Sequence, residues 1–249
     1  MINFVVQQKN KKMKKLFTLI LLTGILSVST IQAQQLLKPF ESISHKKTTY
    51  ITLKDGTEIS GTVKSLDRKK GLIEEVKMKD ADGKKKIVAV KDIKHAYFPQ
   101  SGWDQLSKGL DFASDATQWD SGLYDAERLK DGYAYFETCE VMVKKKKMTL
   151  LMQLLNPHAS ERVKLYHDPF SKETMGVGVA GVKLAGGIDK SYYASKDGAV
   201  AFKFEKKNYK EGFKKFIGDC KAVATKYSEA KWNEFVEAVF LYNGDDCGK

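Results

Sequence analysis

From residue 49 to residue 98 the chain alternates apolar and polar positions, and turn residues interrupt the alternation at short intervals. This pattern predicts five strands: residues 49–53, 58–66, 72–79, 84–90 and 94–98. Lys54-Asp55-Gly56, residues 68–71 and Asp80-Ala81-Asp82-Gly83 supply the turns, and Asp92-Ile93 a tight connection. Gly61, inside the second strand, marks a bend. Five short strands in about fifty residues cannot bury a flat sheet's face, so a small curled barrel is expected. A second β region follows, with strands at 132–143, 148–156, 162–168 and 173–183. A hairpin at 190–194 and 199–204 turns at Lys196-Asp197-Gly198.

After residue 205 the period becomes helical. Tyr209, Phe213, Phe216 and Ile217 share one face, with Asn208 and Glu211 spaced as a capping box and Gly218 as the stop. Asp219 is expected to cap the next turn. A last helix is expected from Ser228, with Trp232, Phe235, Val236, Val239 and Phe240 as its buried stripe and Asn243-Gly244 as its end. These helices need the preceding sheet to cover their apolar faces, which makes the fold class α+β. The organisation expected is a lead-in at 34–47, a small β-barrel-like module at 48–98, and a linker with a short helix at 99–132. A β-sheet domain closed by C-terminal helices then spans 133–249. Trp103, Leu106, Leu110 and Phe112 supply the linker's helical face, and Trp119 and Tyr124 argue that it is ordered.

The first 33 residues follow a different pattern. Lys14 and Lys15 form a basic start, residues 16–26 an apolar run, and residues 27–33 a small-residue approach to cleavage between Ala33 and Gln34. The apolar run falls short of the roughly 20 residues a membrane-spanning helix needs. The reading is a secretory signal peptide starting at Met13, an exported mature chain, and no transmembrane anchor. This segment carries five lysines and no acid, so it accounts for five of the +12 formal charges.

Export also changes how the cysteines read. Of Cys139, Cys220 and Cys247, the last two flank the helical region and are the expected disulfide of an oxidising compartment. Closing that loop would contribute about 3 kcal/mol. Cys139 lies in an apolar strand and is expected as a buried free thiol. Arginine occurs only at Arg68, Arg128 and Arg162, which is poor supply for bidentate phosphate or base recognition.

Residues 51–98 resemble a small SH3-like or Sm-like barrel, on the strand, Asp-Gly turn and bent Gly61 strand. The resemblance implies a shared shape. The Arg68-Lys69-Lys70-Gly71 and Val90-Lys91-Asp92 segments depart from the Sm RNA-binding loops, so RNA binding is not implied. Over roughly its last half, the chain resembles uncharacterised exported proteins of Gram-negative bacteria. Leu165-Tyr166, Tyr192-Tyr193, Asp219-Cys220, Tyr242-Asn243 and Cys247 carry that likeness by their order. It implies no particular activity, and assigns the aromatics to packing sheet against helices.

Candidate chemistry is sparse. Gly176-Val177-Gly178-Val179-Ala180-Gly181 matches a dinucleotide fingerprint, but another glycine cluster follows where a helix is required. His45, His95, His158 and His167 lack metal-ligand spacing with one another or with cysteine. His167 and Asp168 are neighbours on a strand and face opposite sides. No catalytic residue, cofactor or metal is therefore assigned. Lys84, Lys85 and Lys86, with Lys144, Lys145, Lys146 and Lys147, sit at hairpin tips. They are possible basic contacts for phosphate-rich surfaces, or charges that keep strand edges from pairing. The expectation is an exported, non-enzymatic α+β protein of the periplasm or outer surface. Its partner is an envelope protein, peptide or glycan rather than nucleic acid. A hydrolase of envelope polysaccharide or peptide with dispersed carboxylates is the alternative, and a polyanion binder the weaker one.

Overall fold

The computed structural model describes residues 36–69, 71–101, 124–171, 178–179, 182–183 and 189–247, which belong to the compact unit Gln35–Lys249. Ala33 and Gln34, the linker residues Trp103, Leu106, Leu110, Phe112 and Trp119, and four residues of the glycine run lie outside them. Strands β1 (Thr49–Leu53), β2 (Glu58–Lys69), β3 (Leu72–Asp80), β4 (Lys85–Ala89) and β5 (Ile93–Pro99) follow the alternation. Their turns use the expected chemistry. The Asp55 carboxylate accepts the Thr57 amide at 2.8 Å, and the Asp80 carboxylate accepts the amides of Asp82 and Lys84. A 3-10 turn, Val90–Asp92, swings β5 back onto β1.

These strands continue into β6 (Tyr133–Val143) and β7 (Lys146–Gln153). Beyond them come β8 (Val163–His167), β11 (Ser191–Lys196) and β12 (Ala201–Glu205). The result is one ten-stranded mixed sheet ordered β4-β3-β2-β1-β5-β6-β12-β11-β8. β7 pairs with β6 and also touches β3 at Ile73–Leu151, so pairing from β3 through β2, β1, β5 and β6 returns to β3. The β12–β6 ladder is parallel. Two short strands, β9 (Gly178–Val179) and β10 (Val182–Lys183), form a separate antiparallel pair across part of the glycine run.

Strand alternation sorts side chains into cores. Ile51, Val63, Ile73, Val76, Phe98 and Phe136 fill one. Tyr97, Tyr135, Leu150, Met152 and Tyr166 point to the opposite side and meet helix α1 (Ala126–Lys130) through Leu129. A third core lies between β8, β11 and β12 and the helices α2 (Tyr209–Ile217), α3 (Lys221–Lys226) and α4 (Phe235–Asn243).

Three helix-end expectations are corrected. Asn208 makes no side-chain cap, because a 3-10 turn at Lys206–Asn208 runs directly into α2 and takes Asn208 out of the extended conformation capping uses. Asp219 does not cap α3. Cys220 occupies that position, and Asp219 instead bonds Lys196 and Tyr242. The last helix begins at Phe235, after a 3-10 turn at Trp232–Glu234, because Ala230 (φ +49°) breaks the path from Ser228. Asn243-Gly244 end it as expected.

Candidate functional site

Glu137 on β6 is a charged group held inside the sheet. Register places it beside His95 of β5 and Met152 of β7, on the face that carries Tyr97 and Tyr135. Lys164 of β8 donates to both carboxylate oxygens, at 2.8 and 2.9 Å, and the Tyr166 hydroxyl donates at 2.6 Å. The Tyr135 hydroxyl lies against the same carboxylate. The Glu137 side chain is only 14% exposed, so this is a mostly desolvated pair with its lone pairs in use. It ties β6 to β8 across nearly thirty residues of sequence.

The surrounding groups are tuned away from reactivity. Burial and the neighbouring Glu137 charge push the Cys139 thiol up to about 12, so a half-buried free thiol stays protonated. Burial raises Tyr166 and Tyr135 well above the ordinary phenol value. Burial lowers Lys164, but Glu137 outweighs it and the ammonium form is favoured. Burial, with Lys94 next to it, lowers His95. Above this group, Tyr124 stacks edge-on to Tyr135 at 4.7 Å and hydrogen-bonds Ser160 at 2.8 Å. Arg128 lies 3.9 Å over the Tyr50 ring and pairs with Asp125.

A second buried carboxylate, Asp168, closes the end of β8. It is 1% exposed and accepts from Ser191 at 2.6 Å and Lys203 at 2.8 Å. Its neighbour His167 faces away, toward a small cavity of about 40 Å³ beside Gly71 and Pro169. The remaining histidines have separate surroundings: His45 bonds the Val63 carbonyl, and His158 stacks on Phe240. Among the described residues no group of three or more His, Cys, Asp or Glu is arranged to hold a metal ion.

The ordered motif of the C-terminal half acquires physical roles. Cys220 and Cys247 are bonded to each other. Tyr192 stacks on Trp232 with centroids 5.9 Å apart, packing sheet against helix. The Tyr242 hydroxyl accepts from Arg162 at 2.7 Å and donates to Asp219 at 3.0 Å, while Arg162 also pairs with Asp197. The Asn243 side chain accepts the Arg162 and Val163 amides and donates to the carbonyls of Ala159, Val163 and Val239. The disulfide joins the two ends of the helical region, while Tyr192, Tyr242 and Asn243 fasten the helical layer to β8 or to its neighbouring hairpin.

The lysine runs fall on strand ends. Lys84 sits in the β3–β4 turn, Lys85 and Lys86 in β4, and Lys86 pairs with Asp80. Lys144 and Lys145 form the β6–β7 tip, with Lys144 at φ +58°, while Lys146 and Lys147 belong to β7 and Lys147 pairs with Glu140. The two runs are separate, each on its own hairpin.

Glu137, Lys164 and Asn156 belong to no motif in the sequence, and Asp168 stood out there only as the neighbour of His167. The signal was a charged or amide residue in or beside an otherwise apolar strand, as in Tyr133–Val143, where a partner is obligatory. Asn156 shows the same logic: buried, it accepts the Leu165 amide and donates to the carbonyls of Ala159 and Val163. Among the described residues no helix is long and apolar enough to cross a membrane. Compared with known proteins, the chain matches no family model, no curated protein and no solved structure.

Proposed function

We propose that this chain is an exported protein of the bacterial envelope or outer surface with a non-catalytic binding or structural role. The observation that carries the reading is the commitment of its buried carboxylates. Glu137 is held by Lys164 and Tyr166, and Asp168 by Ser191 and Lys203, so both act as internal ties. A general acid or base needs a proton free to move toward substrate. Export is supported by the basic, apolar and small-residue pattern of residues 13–34 and by the Cys220–Cys247 bond, which an oxidising compartment favours. Within this reading β1–β5 act as the small barrel-like module, supported by the order β4-β3-β2-β1-β5 and the return of β7 to β3.

Two measurements test it. Residues 1–33 fused to a reporter active only outside the cytoplasm should give signal, and a silent fusion overturns export. A screen of the purified protein against envelope polysaccharides and peptides should give no turnover. Turnover abolished by Glu137→Gln or Asp168→Asn, in a variant that still folds, would establish the hydrolase instead.

A further inference from the structure

The two ends of the ten-stranded sheet are finished differently. At one end β8 is covered: Leu154 bridges Tyr166, the Leu155 amide donates to the Leu165 carbonyl at 2.8 Å, and the Asn156 side chain accepts the Leu165 amide. At the other end β4 pairs with β3 alone among the described residues, so its outer row of amides and carbonyls has no strand beside it. A second unpaired row starts from the same place. Ile73 and Glu75 give one edge of β3 to β7 and β4, because β2 occupies the opposite edge through Arg68 and Asp67. β7 touches that edge only at Leu151, and from Lys146 to Thr149 it pairs with β6 alone among the described residues. Both β4 and β7 run antiparallel to β3, so they run parallel to one another and their unpaired edges open toward each other.

An open edge is a template for another strand, and natural sheets blunt it with Pro, bulges, short strands or lysines. β4 has no Pro and pairs with β3 without a register shift, and Ile87 at its centre is 66% exposed. Its protection is electrostatic. Lys86 pairs with Asp80 and Lys147 with Glu140, which leaves Lys84, Lys85, Lys144, Lys145 and Lys146 without an ion pair among the described residues. They stand at the turn ends of the two facing edges. Such a rim repels a second copy of β4 and attracts a strand of opposite charge.

We infer that the slot between β4 and β7 takes an extended acidic peptide segment of a partner protein, added as a strand antiparallel to both. Main-chain hydrogen bonds to the two open edges supply affinity. An apolar residue of the peptide packs beside Ile87, and acidic residues flanking it meet the lysine rim. The inference rests on the binding role proposed above and supplies its partner class.

The test pairs fluorescence anisotropy with hydrogen exchange on the full exported protein. The probe is the synthetic peptide Glu-Glu-Val-Thr-Ile-Thr-Val-Glu-Glu, with one control carrying Lys for every Glu and another carrying Pro for the central Ile. The acidic peptide should bind saturably, and raising salt should weaken it severalfold. Each control should bind at least about tenfold more weakly, the Pro peptide because it loses a ladder donor. Ile87→Lys should weaken binding by about tenfold without lowering the melting temperature, since the side chain is exposed. On binding, exchange should slow in both β4 and the Lys146–Thr149 part of β7, and stay unchanged in β8. No binding at millimolar concentration, equal binding of either control, or protection confined to other strands would each overturn the inference. So would edges already protected without peptide, in the monomer or in a dimer, because the chain itself would then be the occupant. A protein that fails here yet is cross-linked to one envelope partner in intact cells keeps its binding role and loses only this slot.

Discussion

The core built on β1–β5, which Phe40, Phe136 and Leu151 complete, is largely aliphatic, with Ile51, Val63, Ile73, Val76, Met78 and Ile93 supplied by the strands. The core beneath α2, α3 and α4 is aromatic, with Tyr192, Phe204, Tyr209, Phe213, Trp232 and Phe235 in mutual contact. The difference follows from how each region holds its elements. Hairpin strands are neighbours in sequence, so turns set their register locally and modest side chains complete the packing. Helices of nine, six and nine residues are too short to persist alone and depend on what they touch. Large flat rings supply that contact, and long-range ties do the rest: the Cys220–Cys247 bond, and Asn243 on backbone eighty residues away.

The sharpest break in this comparison is Phe235→Ala. Phe235 is fully buried and stacks on Phe204 at 4.7 Å, so its loss should cost about 4 kcal/mol in chemical denaturation. A cost below about 1 kcal/mol would mean that the aromatic core is not what holds the helices. Removing the disulfide by Cys220→Ser/Cys247→Ser should cost about 3 kcal/mol. Hydrogen exchange should accelerate in α2, α3 and α4 and stay unchanged in β1–β5. Uniform acceleration would show that the two regions unfold as one.

Gly61→Ala probes the strand side. An added Cβ would stand 2.0 Å from the Lys79 carbonyl oxygen, where β2 bends against β3. The cost should be about 3 kcal/mol, as for overpacking against an unyielding neighbour. Normal stability in the variant would contradict that close approach. The smallest effect is a pH dependence. Burial lowers His95 below its unfolded value near 6.5, so the unfolded chain binds the proton more readily. Stability should be full above pH 7 and decline as pH falls below 6.5, and His95→Gln should flatten that slope. An unchanged slope would assign the titration elsewhere.

Much of this architecture was legible in residue order. β1–β5 follow the two-residue alternation and the Asp-Gly turns within a few positions, because both signals are local. The helical stripe Tyr209, Phe213, Phe216 and Ile217 is buried as its spacing requires. Helix ends were less legible. Asn208 and Asp219 have the right chemistry for caps, but a preceding 3-10 turn displaces one and Lys196 and Tyr242 claim the other. The ties between sheet and helices were invisible for a related reason: Arg162 and Tyr242 are 80 positions apart and meet only where α4 packs beside β8.

By itself the sequence determined the strand alternation, the turn positions, the helical face and the charge and cysteine content, all of which depend on neighbours a few residues apart. Tertiary structure alone decided that β6 joins the two β regions into one sheet. It decided that Glu137 meets Lys164, and that Asp168 meets Lys203. Those pairings depend on which distant faces exclude water together, and a buried charge or hydroxyl declares only that it needs a partner, not which one folding will bring.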